Sequence, residues 1–200
     1  ILRATEDYLV PVYGQLHKEL LKRDVLHADE TTLQVLHEPD KKPQSKSYMW
    51  LYRTSGDTNK PIVLYEYQSG RGAEHPKSFL QGFKGYLHTD GYAGYHDLGK
   101  DITVVGCWAH ARRKFDEAMK SLPKGKVKGS SASQGMAYCN LLFAIEQGLA
   151  EKNAATEDRY KERLEQAKPV LDAMFAWANS RNIAPKSAQG KALHYLKEQW

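Results

Sequence analysis

The sequence predicts an α/β fold in which the first 122 residues mix strands and helices and the final third is helical. Short runs of β-branched and aromatic residues, bounded by turn residues, recur up to residue 106 and predict strands. From residue 108 onward, apolar residues recur at helical spacing. Of the 200 residues, 41% are hydrophobic and 26% are charged, so the chain can bury a core of its own.

An amphipathic helix and a short strand are predicted at the start of the chain. The helix covers residues 5–22, and Pro11 starts or kinks it. Residues 24–28 are short, partly apolar and bounded by polar residues, which predicts a strand that runs into Asp29. The apolar positions of the helix are Leu9, Val12, Tyr13, Leu16 and Leu20.

A second and a third strand are predicted to continue this first strand as an antiparallel meander. They cover residues 48–53 and 62–67, which are rich in aromatic and β-branched side chains. The second strand follows a polar connection at residues 37–46, and the third follows turn residues at 56–59. Connections this short favour antiparallel pairing.

Two further strands and two helices complete the mixed region. Residues 76–81 form a short helix that a proline opens, and residues 85–89 form a fourth strand that ends at Asp90. Residues 102–106 form a fifth strand. The apolar face of residues 108–122 predicts a helix directly after it.

The last third of the chain is predicted to be helical over about residues 135–151, 156–181 and 187–200. Pro169 kinks or splits the middle helix, and Pro185 separates the last two.

Four segments follow from this pattern. Residues 1–22 are a helix that leads into the core, 23–122 are the mixed core, 123–133 are a Gly/Ser/Lys linker, and 134–200 are a helical region. The chain has no initiator methionine, and its last residues lie inside an amphipathic run. We therefore expect both ends to be cuts through a longer protein.

Composition argues against a membrane or secreted protein. The chain has no run of 18 apolar residues, and it does not begin with a basic segment followed by an apolar stretch. Its two cysteines, Cys107 and Cys139, give no disulfide framework and fit a reducing compartment. We expect a cytoplasmic protein with no membrane partner.

The positive charge is concentrated in one stretch of the chain. The formal net charge is +5, and a basic run at residues 112–114 is followed by spaced lysines. These residues can contact backbone phosphates, or the lysines can be a solvated loop while the arginines pair with Asp116 and Glu117. The candidate phosphate contacts are Arg112, Arg113, Lys124, Lys126 and Lys128.

Two aspartates occupy places where a catalytic metal site is common. Three strands, a helix, and then alternating strands and helices is the order of a ribonuclease-H-like fold, in which the first and fourth strands are neighbours. Asp29 and Asp90 are then expected side by side. Paired carboxylates suit divalent cations that clamp the attacking and leaving oxygens of a phosphodiester, and Mg²⁺ prefers such hard oxygen ligands. The alternative is that both aspartates are turn or cap residues.

Four segments carry a family resemblance. They are residues 27–36 (HADETTLQVL), 86–95 (YLHTDGYAGY), 107–115 (CWAHARRKF), and the pair 186–187 (KS) and 190–196 (GKALHYL). In this order they resemble the first-Asp motif, the second-Asp motif, the Cys-x-x-His segment and the stretch before the last catalytic motif of the insertion sequence 66 family of bacterial transposases. The resemblance covers nearly the whole chain.

The resemblance implies a DDE transposase, an enzyme that cuts element ends and joins them to target DNA with Mg²⁺, or with Mn²⁺ as a substitute. Asp29 and Asp90 match the first and second metal-binding carboxylates. The third family acid, a glutamate, is expected downstream of residue 200, so this fragment alone is expected to be inactive. The region 134–200 is expected to be an insertion before the final catalytic helix. Expected partners are DNA and other copies of the transposase, with no small-molecule substrate.

Two histidines are further candidate site residues. His88 precedes Asp90 by two residues, so it is expected on the same face of the sheet, either supporting that carboxylate or filling the core. The family links the segment around His110 to the catalytic centre. A zinc site at Cys107 and His110 is not expected, because zinc takes four ligands and no second Cys/His pair stands at a suitable spacing.

Three residues beside the aspartates have structural alternatives. Glu30 follows Asp29 and is expected to point away from it as a structural or capping residue. Tyr92 and Tyr95 can stack on splayed bases or pack against the sheet.

Two other functions fit the same sequence. One is a non-catalytic nucleic-acid-binding or assembly module on a ribonuclease-H-like fold, which the basic stretch 112–128 and the helical tail favour. The other is a complete ribonuclease-H-like nuclease, which requires a third acid close in space within these residues.

Overall fold

The computed structural model describes residues 2–56 and 60–200, without the side chain of residue 2. The chain divides into two compact units, Ile1–Cys107 and Trp108–Trp200. Strands and helices mix in the first unit and only helices occur among the regular elements described in the second, so the predicted α/β class is confirmed. No helix in the described part is long and apolar enough to cross a membrane.

The first unit carries the strands. Its described elements are α1 (Leu2–Ala4), a π-helical turn (Thr5–Leu9), α2 (Val10–Leu20), β1 (Val25–Gln34), β2 (Lys46–Thr54), β3 (Val63–Gln68), α3 (Glu74–Phe79), β4 (Gly85–Thr89), a 3₁₀ turn (Ala93–Tyr95) and β5 (Ile102–Gly106). The second unit consists of α4 (Trp108–Lys120), α5 (Ser131–Glu151), α6 (Thr156–Glu162), a π-helical turn (Arg163–Ala167), α7 (Lys168–Ser180) and α8 (Ala188–Glu198).

The described strands form one mixed sheet in the order β3-β2-β1-β4-β5. β1 pairs antiparallel with β2, and β2 pairs antiparallel with β3, which is the predicted meander. β4 joins the other side of β1 in parallel, and β5 pairs in parallel with β4. The first and fourth strands are therefore neighbours. Of the predicted turn at 56–59, residues 57–59 lie outside the described part of the chain.

β1 is twice as long as the predicted strand at 24–28. It continues through Asp29 to Gln34 because residues 29–34 pair with residues 46–51 of β2. Thr31 and Thr32 are β-branched and suit a strand in spite of their polarity. Asp29 therefore lies inside β1 rather than at its end, where the sequence pattern predicts it.

One face of the sheet is buried in the first unit. Leu26, Trp50, Tyr52 and Leu87 are fully buried there, under side chains of α2 and α3. The rings of Tyr52 and Phe79 stack with their centroids 3.7 Å apart. Because side chains alternate along a strand, the intervening residues point to the opposite face, where the candidate catalytic residues lie.

The second unit has a core of its own, in which α4, α5, α7 and α8 meet. Its buried residues include Phe115, Cys139, Met174 and Leu193. Serine hydroxyls cap two of its helices: Ser130 Oγ accepts from Ser133 N at 3.1 Å, and Ser187 Oγ accepts from Gly190 N at 3.0 Å.

The boundary between the units lies earlier than the segments predicted from sequence. The mixed core was expected to reach residue 122, with a linker at 123–133 and a helical region from 134. In the structure α4 belongs to the helical unit, because Phe115 and Ala118 are buried in its core. Residues 121–130 connect α4 and α5 inside that unit.

Candidate active site

Asp29 lies on the face of β1 that points away from the buried core. Its neighbour Ala28 is 4% exposed, whereas Asp29 itself is exposed. Asp29 Oδ1 accepts a hydrogen bond from the backbone N–H of Glu30 at 2.9 Å. Leu51 of β2 is its partner across the sheet. The carboxylate is therefore held on a paired strand and remains accessible.

Asp90 directly follows β4 and is half-buried. Its Oδ1 accepts a hydrogen bond from the backbone N–H of Tyr92 at 2.8 Å, which closes an Asx turn. Gly91 lies in the left-handed region with φ 85°, so the chain turns away immediately after the aspartate. The turn, rather than the strand ladder, sets the position of this carboxylate.

Asp29 and Asp90 follow equivalent positions of the parallel β1–β4 ladder. The last paired residues of the parallel ladder are His27 and His88, and Asp29 and Asp90 each lie two residues further along. Two residues along a strand returns to the same face, so alternation puts Asp29 on the face of His27, whereas the turn after β4 positions Asp90. The rings of His27 and His88 lie next to each other on that face, with their centroids 4.7 Å apart. His88 lies on the same face of the sheet as its partner His27, which the sequence analysis did not single out.

The two carboxylates offer the kind of oxygen ligands that Mg²⁺ accepts. In proteins this ion is usually held by one or two carboxylates together with substrate phosphates, and Asp29 and Asp90 match that donor set. Within residues 2–56 and 60–200, no group of three or more His, Cys, Asp or Glu residues is arranged to hold a metal ion. The pair fits one part of a metal site and does not complete it.

Glu30 is the centre of a buried polar cluster on the opposite face from Asp29. Its side chain is only 1% exposed. Oε1 accepts from Arg71 Nε at 2.7 Å and also from Arg71 Nη2, and Oε2 accepts from Tyr95 Oη at 2.7 Å. Burial raises the pKa of Glu30, while the hydrogen bonds from Tyr95 and Arg71 oppose that shift. Glu30 is thus a structural residue that points away from Asp29, as predicted. We call Glu30, Arg71, Tyr92 and Tyr95 the Glu30 cluster.

The tyrosines after Asp90 belong to this cluster. Tyr95 is fully buried and packs edge-on against Trp50, so packing rather than base stacking is its role. Tyr92 is half-buried, with the guanidinium of Arg71 3.7 Å from its ring centroid. Arg71 was missed in the sequence analysis. Its only sequence signal is a lone arginine between Gly70 and Gly72 in the loop after β3.

A family model described as "Transposase IS66 family" matches residues 1–200, the whole chain. The chain belongs to this family.

Curated relatives come from Sinorhizobium fredii. The uncharacterized protein y4qI is 32% identical over 185 residues, which are 84% of this chain and 32% of y4qI. The uncharacterized protein y4hP is 29% identical over 211 residues, 96% of this chain and 37% of y4hP. The uncharacterized protein y4jD is 27% identical over 208 residues, 96% of this chain and 39% of y4jD. The chain therefore spans about a third of the length of these relatives. No solved structure matches it.

The remaining candidate site residues lie in the second unit. His110 is half-buried on α4. Arg112 Nε donates to Asn140 Oδ1 at 2.9 Å, and Arg113 is exposed. The three lysines among the candidate phosphate contacts are exposed in the connection between α4 and α5: Lys124, Lys126 and Lys128.

The acidic residues of α4 pair with lysines, and not with the two arginines as one of the sequence alternatives had it. Asp116 Oδ2 lies 2.6 Å from Lys120 Nζ, and Glu117 Oε2 lies 3.9 Å from Lys114 Nζ. In the structure Arg112 is instead hydrogen-bonded across to α5.

Proposed function

We propose that this chain is the central part of the catalytic domain of a DDE transposase, which cuts element ends and joins them to target DNA by metal-dependent phosphodiester chemistry. Asp29 and Asp90 are its first two metal-binding carboxylates. The observation that supports the proposal is the register of β1 and β4, in which the last paired residues, His27 and His88, each stand two residues before one of the aspartates. Membership of a transposase family supports the reaction class.

The fold on this proposal is ribonuclease-H-like. Three antiparallel strands followed by two parallel ones, in the order β3-β2-β1-β4-β5, support that interpretation. The helical region 134–200 is the insertion between the fifth strand and the final catalytic helix. The third carboxylate comes from a segment outside residues 1–200, so this chain alone lacks normal cleavage activity.

Mg²⁺ is the proposed cofactor, and Mn²⁺ is a substitute. Bound at such a site, divalent ions stabilise the charge on the attacking and leaving oxygens of an in-line displacement. Asp29 and Asp90 contribute the oxygen ligands. Asp29 is held on β1, which has β2 and β4 as its two neighbours in the sheet, and Asp90 is held by the turn that follows β4. Ligands fixed in this way hold a metal site more accurately than mobile loops do.

DNA is the proposed substrate, as element ends and as target, in the bacterial cytoplasm. Exposed cations supply contacts to phosphates, which set affinity without reading sequence. On this proposal His88 supports Asp90, and other copies of the transposase join the complex. The proposed phosphate contacts are Arg112, Arg113, Lys124, Lys126 and Lys128.

The test is cleavage of an oligonucleotide carrying the element end by the whole transposase in Mg²⁺ or Mn²⁺. Asp29→Asn and Asp90→Asn each replace one carboxylate by a neutral amide of nearly the same shape. We expect each to lower the cleavage rate by more than about 100-fold, beyond the ~10–100-fold typical of residues that only orient metal ligands.

Asp97→Asn is the matched control, because the Asp97 side chain is 92% exposed and pairs at 3.7 Å with Lys77 of α3, the helix that covers the core face of the sheet. It should cleave at the normal rate. If Asp29→Asn cleaves normally as well, the two-carboxylate proposal is wrong. If the parent protein does not cleave DNA, and Asp29→Asn still binds DNA in a salt-sensitive way, the results favour a binding module instead.

A further inference from the structure

Asp90 depends on its turn for its position. The β1–β4 ladder ends at the His27–His88 pair, before either aspartate, but Asp29 is still held by β2, where Leu51 is its partner. Asp90 lies beyond the last residue of β4, which is Thr89. What holds the turn after β4 therefore determines how the second carboxylate faces the first.

Tyr92 holds that turn through its backbone, its hydroxyl and its ring. The backbone N–H donates to Asp90 Oδ1 at 2.8 Å, the hydroxyl donates to the backbone carbonyl of Arg71, and the ring centroid lies 3.7 Å from the Arg71 guanidinium carbon. A Cβ on Gly94 would lie 2.3 Å from the Tyr92 ring, so glycine there leaves the ring the space it occupies. The turn is thus tied to the loop that carries Arg71.

Glu30 of β1 binds both the loop that carries Arg71 and the segment after Asp90 that carries Tyr95. It receives Arg71 on one oxygen and Tyr95 on the other, and its side chain is almost completely buried. A guanidinium that forks onto a buried carboxylate has a restricted geometry. Since Glu30 is the residue next to Asp29, the strand that carries the first aspartate also fixes the turn that carries the second.

We propose that Glu30 and Arg71 are positioning residues that set the Asp90 carboxylate relative to Asp29 for metal binding. The inference rests on the proposed function of the two aspartates. Glu30 is not the third acid, because its side chain lies on the core face, is 1% exposed, and has both oxygens engaged. It acts on the metal site only through Arg71, Tyr92 and the turn.

The experiment measures Mn²⁺ binding by the whole transposase, without DNA, from the loss of the free-Mn²⁺ electron paramagnetic resonance signal. Glu30→Gln removes the charge that orients Arg71, and Arg71→Leu removes the guanidinium over Tyr92. We expect each to raise the half-saturating Mn²⁺ concentration about 10-fold or more, within the ~10–100-fold range for partners that orient metal ligands. Arg71→Lys, which can pair with Glu30 but cannot stack a planar group on Tyr92, should fall between Arg71→Leu and the parent.

Glu146→Gln is the matched control, since Glu146 also accepts two bonds from one arginine, Arg163, at 2.6 and 2.8 Å, but in the second unit. It should leave Mn²⁺ binding unchanged. Asp90→Asn should abolish that binding; unchanged binding in this variant would overturn the proposed function, and the positioning role with it.

A different result would overturn the positioning role alone. In that case Asp90→Asn loses Mn²⁺ binding, but Glu30→Gln and Arg71→Leu keep a half-saturating concentration within about twofold of the parent. If the buried Glu30→Gln variant does not fold, Arg71→Lys decides the question, because the Arg71 side chain is 39% exposed and tolerates exchange better. Unchanged half-saturation in Arg71→Lys and Arg71→Leu together then rejects the role of the cluster.

Discussion

At the scale of single residues, the side of the strand decides what a carboxylate can do. Asp29 and Glu30 are adjacent in sequence, yet one is exposed and the other has a side chain 1% exposed. The exposed group is available to a metal and substrate phosphates. The buried one would be costly without partners, and it has a guanidinium and a hydroxyl. Two acids of similar chemistry therefore take different roles.

A second arginine–carboxylate pair, Glu146–Arg163, gives a prediction for pH dependence. The hydrogen bond from Arg163, opposed by burial and helped by the charges of Arg163 and Arg159, lowers the pKa of Glu146 below its ordinary value of 4.5. A carboxyl with a lowered pKa in the folded state adds stability above its unfolded pKa, and loses it as pH falls through the folded value. We expect Glu146→Gln to lower the free energy of unfolding by about 0.2–1 kcal/mol near neutral pH, as for partly exposed pairs. The difference should fade below about pH 4.5 in urea unfolding.

The Arg163→Gln background supplies the control for this pair. In that background Glu146 has no Arg163 guanidinium to pair with, so Glu146→Gln should change the free energy of unfolding little at any pH. A double-mutant cycle measures this difference. A cost of Glu146→Gln that stays constant from neutral to acidic pH would show that the charge of Glu146 is not its source.

The alternation of side chains is local, and for that reason the faces of Asp29, Glu30 and His88 could be predicted from sequence. Arg71 could not. It reaches Glu30 across 41 residues of chain, from the loop between β3 and α3. A pattern of spacing contains no information about such a contact.

At the scale of elements, proline and glycine shape the helices. Pro11 and Pro169 each lie at the start of an α-helix, α2 and α7, and each follows a π-helical turn. Proline has no N–H to donate and its ring crowds the carbonyl four residues before it, so a wider turn relieves the contact. The sequence predicted that Pro11 starts or kinks its helix and that Pro169 kinks or splits its helix; in the structure the helical winding changes just before each proline.

Two glycines of α5 give opposite predictions for the same substitution. A Cβ on Gly135 would lie 2.4 Å from the ring of the buried Phe115, whereas one on Gly148 meets nothing within 4 Å. Gly148→Ala should raise the free energy of unfolding by about 0.5–1 kcal/mol, because alanine favours the helix. Gly135→Ala should lower it by about 1–3 kcal/mol, since overpacking of α5 against α4 outweighs that gain.

Urea unfolding of the two variants decides this point. Each glycine is in the same helix and receives the same methyl group, so helix propensity alone predicts that both variants gain stability. A gain in Gly135→Ala would mean that α4 and α5 are not packed as closely as the Phe115 contact requires.

The length of β1 shows where prediction of elements fails. The run after Ala28 is polar, and a polar run is typical of a loop. It is a strand because pairing with β2 continues along residues 29–34, and one of its faces is open to solvent. Pairing between strands is a long-range property, so it overrides the local preference. β4 and β5 were predicted with the bounds that the structure has. β5 is an apolar, largely β-branched run, and β4 is a short run between a glycine and the turn that follows Thr89.

At the scale of the whole molecule, the described residues form two hydrophobic cores, whereas composition alone suggests a single one. One is built from residues of the first unit, including Leu26 and Trp50, and the other from residues of the second, including Phe115 and Met174. The amphipathic face of α4 was predicted correctly from its spacing. Which core it enters was not predictable, because apolar periodicity identifies a face without identifying its partner.

Charge also distinguishes parts of the molecule, since the net charge of +5 includes three exposed lysines in one connection. Replacing Lys124, Lys126 and Lys128 by glutamine should weaken DNA binding by the whole transposase. It should also flatten the dependence of log affinity on log salt concentration by about 0.9 for each phosphate that the variant no longer neutralises. The control replaces three lysines elsewhere in the helical unit, Lys152, Lys161 and Lys168, and lowers the net charge equally. Because Lys152 and Lys168 already lie 3.9 and 2.5 Å from carboxylate oxygens, this control should keep the parent slope. Equal slopes for both variants, measured by fluorescence anisotropy across salt concentrations, would mean that net charge rather than local phosphate binding attracts DNA.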